Sequence, residues 1–167
     1  IVSAILFVMI VIVAALGPRS ALLVGIAIPG SFLATILTLD SFGFTLNIVV
    51  LFSLILVVGM LVDGAIVVSE LADRRLGEGA SAREAYSGAA KRMSWPVIAS
   101  TLTTLAVFLP LLAWPGTVGE FMKYLPITVI IALTASLAMA LLFVPVLGAA
   151  IVPRGAGSPA TRIETGG

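Results

Sequence analysis

The residue in this sequence best suited to chemistry is Asp63, the only ionisable side chain between Ile48 and Ser69. It lies in the stretch GMLVDGAIVVSE at 59–70. A carboxylate at membrane depth costs roughly 2.5–3.5 kcal/mol on insertion scales, so an acid there usually serves a function. Burial favours the neutral acid, whereas a nearby cation favours the carboxylate, so a residue that alternates between such surroundings can carry a proton. The alternative is a neutral structural aspartate that is hydrogen-bonded to a hydroxyl.

Three hydroxyls in the next apolar segment are the predicted hydrogen-bond partners of that acid. Ser100, Thr101 and Thr104 have the i, i+1, i+4 spacing that allows side chains to share one helix face. Counted from the polar connector between the two segments, Asp63 lies at a depth of about 10 Å and these hydroxyls at about 9–15 Å, so the depths match. A buried carboxyl needs hydrogen-bond partners. We therefore expect Asp63 to face the bundle interior and approach one of the hydroxyls; the competing expectation is that it is exposed on a surface where another part of the protein docks.

The composition is that of a membrane protein and excludes several classes of enzyme. Of 167 residues, 60% are hydrophobic and 10% are charged, whereas soluble domains carry about 25% charged residues. The sequence has no cysteine and no histidine, which removes thiolate chemistry and the commonest metal ligand and general base. Intramembrane proteases would need a basic partner or a second aspartate within a span, and a phosphate-binding glycine loop is absent. We therefore predict no catalytic residue, cofactor or metal site, and the net charge of +1 does not indicate nucleic-acid binding.

Five apolar segments approach or exceed the roughly 20 residues that cross a bilayer. They predict an all-α polytopic membrane bundle over residues 1–152, with spans at 1–16, 21–39, 46–72, 94–114 and 121–152. The first span is a turn short, and the sequence begins inside an apolar run, which is typical of a fragment of a longer polypeptide. The third span is apolar around its circumference, which predicts a central position. Residues 153–167 are rich in Gly, Pro and Thr and are expected to form a disordered tail.

The polar connector at 73–92 is predicted to contain a short amphipathic helix. The sequence SARE at 81–84 has the spacing of a capping box. Ala82, Ala85, Tyr86 and Ala89 then recur at i, i+3, i+4 and i+7. This pattern favours a helix on the membrane surface, and the alternative is an ordinary solvated connector.

The basic residues predict the orientation of the chain in the membrane. Eight of the nine fall on the side of the connector: Arg19, Arg74, Arg75, Arg83, Lys91, Arg92, Arg154 and Arg162. Lys123 alone falls on the other side. Because short cytoplasmic loops carry an excess of Lys and Arg, the connector and the C-terminus are predicted to be cytoplasmic.

The stretch at 59–70 resembles the fourth transmembrane helix of the resistance-nodulation-division (RND) efflux transporters. The resemblance extends to other parts of the chain: Pro29 followed by FGFTLN at 42–47, the amphipathic connector, FLP at 108–110 and FVPVL at 143–147. It implies that the five spans correspond to helices two to six of the first half of such a transporter. It also implies a multi-pass protein of the bacterial inner membrane.

The resemblance implies part of a proton-driven exporter of drugs, amphiphiles or metal ions, with Asp63 in proton coupling. In the family, two adjacent aspartates on this helix carry protons and pair with a lysine of the second half. Here Asp63 occupies the first position and Gly64 the second. Gly64 either allows a close approach of two helices or simply replaces the second acid. The implied partners are the lipid bilayer, protons and the second half of the transporter, and a homotrimer with a periplasmic adaptor and an outer-membrane channel would fit the resemblance.

The alternative function is a non-transporting membrane module for lipid sensing or scaffolding, similar to a sterol-sensing domain. Such segments share the arrangement of five helices but need no proton carrier. Gene context discriminates between the two, since an exporter gene should encode a second, similar half with a charged residue in the corresponding helix.

Overall fold

The computed structural model describes residues 2–151, and this part of the chain consists of helices and short connections without a strand. The helices are α1 (Val2–Leu16), α2 (Pro18–Ser41), α3 (Ile48–Val58), α4 (Asp63–Gly77), α5 (Ala82–Leu112), α6 (Gly116–Met122), α7 (Tyr124–Ala138), a π-helical segment (Met139–Phe143) and α8 (Val144–Ile151). The predicted all-α bundle is confirmed. The tail predicted at 153–167 lies outside the described residues.

Within residues 2–151, four apolar helical stretches are long enough to cross a membrane. They are Pro18–Ser41, Ile48–Gly77, Ala82–Leu112 and Gly116–Ile151, and a shorter apolar helix covers Leu6–Ala15. These match the second to fifth predicted spans and the short first one. The third span is the most buried of these four. Half of its most apolar section lies inside the bundle, as its uniformly apolar surface predicted. Only 6% of the most apolar section of α5 is buried, so neighbouring helices leave most of this helix uncovered.

The connection between α1 and α2 is a single residue, shorter than the gap between the predicted spans at 1–16 and 21–39. Gly17 has φ 85°, a left-handed conformation that glycine adopts without steric cost. Pro18 follows at once as the first residue of α2, where its fixed φ suits a helix start. Ser20 is consequently helical and fully buried, and its hydroxyl donates a hydrogen bond to Asp73 of α4. This bond places the start of α2 and the polar connector at the same end of the bundle.

The third predicted span is not one continuous helix, because it is interrupted directly before Asp63. The N–H groups of Met60 and Leu61 both donate to the carbonyl of Val57, at 2.8 and 2.9 Å. Helical bonding resumes where the N–H of Ile66 donates to Val62 at 3.0 Å. Glycines at 59 and 64 flank the turn, and each disfavours a helix by about 1 kcal/mol relative to alanine. The turn at 59–62 therefore makes Asp63 the first residue of α4.

The predicted amphipathic helix forms, but it is the first part of α5 and is continuous with the fourth span. The capping box is confirmed, since Ser81 and Glu84 exchange side-chain-to-backbone hydrogen bonds. The predicted apolar face is also confirmed, because Ala85, Tyr86 and Ala89 are fully buried. This face packs into the bundle core with residues of α2, α4 and α8. The expected position on the membrane surface is therefore wrong: the apolar face is covered by neighbouring helices.

Candidate functional site

Asp63 lies at the N-terminus of a helix that begins within a membrane span. The residue before it, Val62, provides no side-chain cap, so the first N–H groups of α4 lack the partner that a capping residue would give. Such a helix end favours a negative charge. Asp63 itself is exposed, which agrees with the expectation that it lies on a surface where another part of the protein docks. It makes no hydrogen bond with another side chain in the described part of the chain.

A cavity of about 130 Å³ brings Asp63 together with all three predicted hydroxyls. Its polar lining consists of Asp63, Ser100, Thr101, Thr104 and Ser136. The rest of the lining is Gly64 and the apolar side chains Met60, Val67, Val97, Leu133 and Leu137. One water molecule needs roughly 10–15 Å³ by this measure, so the cavity has room for several. No lysine or arginine among the residues that the structure covers lines it.

The hydroxyls of α5 that line the cavity all donate to carbonyls of their own helix. Ser100 and Thr101 donate to Val97 at 3.0 and 2.8 Å, and Thr104 donates to Ser100 at 3.0 Å. A hydroxyl that donates in this way can still accept through its lone pairs. The cavity therefore offers acceptors to water or to a protonated acid. Asp63 makes no direct hydrogen bond to these hydroxyls, so their role as its partners in the shared cavity stays a prediction.

Ser136 of α7 is a member of this site that the sequence did not single out. Its hydroxyl donates to the carbonyl of Leu61 at 2.7 Å, across 75 positions of sequence. That carbonyl belongs to the turn at 59–62, which was not predicted either. A serine in an apolar helix can be recognised as part of a site only when the broken helix that it contacts is known.

Gly64 sits where three elements come close together. A Cβ atom at this position would lie 3.2 Å from the Cβ of Ala140 in the π-helical segment and 3.2 Å from a methyl carbon of Val97 in α5. Both distances are shorter than ordinary van der Waals contact. The structure therefore supports the close-approach interpretation of Gly64, because a second acid here would have to displace its neighbours.

Metal ligands do not cluster around Asp63. Within residues 2–151, no three Asp or Glu side chains are grouped so that they could hold an ion. The chemistry that this arrangement can perform is proton exchange between one carboxyl group and water in a hydroxyl-lined cavity.

Comparison with known proteins finds similarity over most of the chain. Residues 1–162 match the AcrB/AcrD/AcrF family. The chain is 36% identical over 132 residues to the swarming motility protein SwrC of Bacillus subtilis, and the aligned region covers 77% of this chain and 12% of SwrC. It is 32% identical over 135 residues to the toluene efflux pump membrane transporter TtgE of Pseudomonas putida, covering 80% of this chain and 13% of TtgE.

A third relative is the multidrug resistance protein MdtC of Klebsiella pneumoniae. It is 31% identical over 147 residues, which covers 88% of this chain and 14% of MdtC. The chain thus spans about an eighth of the length of the curated relatives that it matches.

Proposed function

Because the chain belongs to the AcrB/AcrD/AcrF family of RND transporters, we propose that it is part of a proton-driven exporter in which Asp63 carries the proton. The observation that carries this proposal is the cavity at the broken span, where Asp63 is the only ionisable lining residue among those that the structure describes. A solitary ionisable group at membrane depth is a functional site by default.

The proposed cycle uses two environments of the Asp63 carboxyl group. Water in the cavity delivers a proton, and the neutral acid then needs no counter-charge and can be enclosed among apolar side chains. Release of the proton leaves a carboxylate, which the N-terminus of α4 partly stabilises. Because no cation among the described residues lines the cavity, we propose that the remaining stabilisation comes from a basic residue of another part of the transporter. The charge on Asp63 thereby favours one arrangement of the helices over another.

The proposed cargo is an organic amphiphile or drug, with metal ions as the other class in the family. TtgE is described as a toluene efflux pump and MdtC as a multidrug resistance protein, and these names suggest apolar organic substrates for this chain. The proposed partners are a second transporter half, further copies in a homotrimer, a periplasmic adaptor and an outer-membrane channel.

The proposed location is the bacterial inner membrane, with the connector on the cytoplasmic side. The bond between Ser20 and Asp73 supports this orientation, because it brings Arg19 to the end of the bundle that carries Arg74 and Arg75 of the connector.

Replacement of Asp63 by asparagine in the complete transporter tests the proposal. Asn is nearly isosteric and cheaper to bury than a charge, so the protein should accumulate normally. It cannot exchange a proton, so export of a fluorescent drug from cells should fall to the level of cells without the transporter. Glu70→Gln is the matched control, since it neutralises an exposed acid of the same helix and should leave export unchanged. Export at the unchanged rate by Asp63→Asn would remove Asp63 from proton coupling.

A further inference from the structure

We infer that Ser136 is a positioning residue for Asp63: it holds the carbonyl of Leu61 and thereby keeps the span broken directly before the acid. The hydrogen bond itself is seen in the structure. Its consequence for proton exchange rests on the proposed function.

The bond satisfies a carbonyl that the helix break has released. In an uninterrupted helix the carbonyl of Leu61 would accept from the N–H of Ala65. Here helical bonding resumes only with Ile66 and Val62, and the Leu61 carbonyl accepts from the Ser136 hydroxyl instead. Leu61 and Ser136 are 2% and 6% exposed, so the carbonyl is shielded from bulk water. A buried carbonyl without a partner is costly.

Ser136 differs from the other described hydroxyls that donate to a backbone carbonyl. Every other serine or threonine hydroxyl that donates to a backbone carbonyl in the described residues uses one that lies three or four positions earlier in sequence. Such bonds occur in apolar helices generally. The bond of Ser136 instead joins α7 to the turn at 59–62, so it constrains the position of one element relative to another.

The turn is held from its other side by the close contacts of Gly64. The α-carbon of Gly64 faces Ala140 and Val97, and Ala140 belongs to the π-helical segment that begins three residues after Ser136. Asp63 lies between these two points of attachment and shares the cavity with Ser136. Without the hydroxyl, either the Leu61 carbonyl loses its partner or the turn rewinds to pair it with Ala65. Rewinding would rotate Asp63 relative to the cavity.

Carbodiimide labelling of Asp63 tests the inference without relying on export. Dicyclohexylcarbodiimide reacts with protonated carboxyl groups in apolar surroundings, and mass spectrometry measures the labelled fraction of Asp63. In the complete transporter in lipid vesicles, Ser136→Ala should shift the pH of half-maximal labelling by about one unit. Ser136→Thr keeps the hydroxyl and should retain the original profile. Ser136→Val introduces a side chain of the same shape as threonine but without the hydroxyl, and its profile should match that of Ser136→Ala. If Ser136→Ala does not accumulate, the comparison of Ser136→Thr with Ser136→Val tests the role of the hydroxyl.

Thr128→Val is the matched control for a general loosening of α7. Thr128 is fully buried on the same helix, but its hydroxyl donates only to Tyr124 of that helix, at 2.7 Å. Its labelling profile should coincide with that of the unchanged transporter. An unchanged profile in Ser136→Ala, or an equal shift in Thr128→Val, would overturn the positioning role. Failure of the proposed function is a separate result, since it would appear as normal export by Asp63→Asn.

Discussion

At the scale of single residues, Asp63 has two surroundings that act on its charge in opposite directions. The free N–H groups at the start of α4 favour the carboxylate, and the apolar walls of the cavity favour the neutral acid. A change of about 1.4 kcal/mol in either effect alters the proton affinity about tenfold. Under the proposed function, a helix movement that changes either effect by this amount would change how readily Asp63 holds its proton.

Gly64 is the residue next to Asp63 whose replacement should disturb this arrangement most directly. Gly64→Ala adds a Cβ atom 3.2 Å from Ala140 and Val97, and overpacking of this kind costs typically 1–3 kcal/mol. We expect faster amide exchange at the start of α4 and slower export, measured by hydrogen–deuterium exchange and drug efflux. Gly77→Ala is the control, because a Cβ there meets nothing within 4 Å. Equal effects of the two substitutions would contradict the close approach at Gly64.

At the scale of helices, the sequence predicts regular elements well and their interruptions poorly. The spans follow from apolar length, and the start of α5 follows from Ser81 and Glu84, whose spacing is local. Asp63 is detectable because a charge in an apolar run is costly. The break before it is not, since glycine is tolerated in membrane helices and the partner that stabilises the break, Ser136, is distant in sequence.

The packing of α5 against α8 shows the same dependence on distant contacts and gives a second testable prediction. Gly148 faces the fully buried ring of Tyr86, and a Cβ there would lie 2.3 Å from a ring carbon. Gly148→Ala should therefore separate the two helices and increase amide exchange in both.

The double substitution Gly148→Ala with Tyr86→Ala checks this explanation. Removal of the ring makes room for the added methyl group, so the combined effect on exchange should be smaller than the sum of the single effects. Additive effects would show that the ring is not what Gly148 accommodates.

At the scale of the whole molecule, the arrangement of the basic residues and the bundle predicts the orientation in the membrane. The chain contains no cysteine, so single cysteines introduced into it can report the orientation once any cysteines elsewhere in the transporter are replaced. Ser87→Cys in the connector region and Thr117→Cys at the opposite end both replace exposed residues. With a membrane-impermeant maleimide, Thr117→Cys should react in intact spheroplasts and Ser87→Cys only after lysis. The reverse pattern would invert the proposed topology.

The exposed side of α5 has a consequence for how the site works. Only 6% of the most apolar section of α5 is buried. The cavity that contains Asp63 is lined in part by this helix. Residues 2–151 by themselves therefore leave the acid exposed. We expect closure of the cavity, and the cation that stabilises the carboxylate, to come from other parts of the transporter.

The most direct test of the central claim is proton movement coupled to export. The complete transporter is reconstituted in vesicles with a pH-sensitive dye, and proton flux is recorded before and after addition of a transported drug. The unchanged protein should show drug-dependent flux, Glu70→Gln should match it, and Asp63→Asn should show none beyond that of empty vesicles. Drug-dependent proton flux of unchanged size in Asp63→Asn would contradict the assignment of Asp63 as the proton carrier.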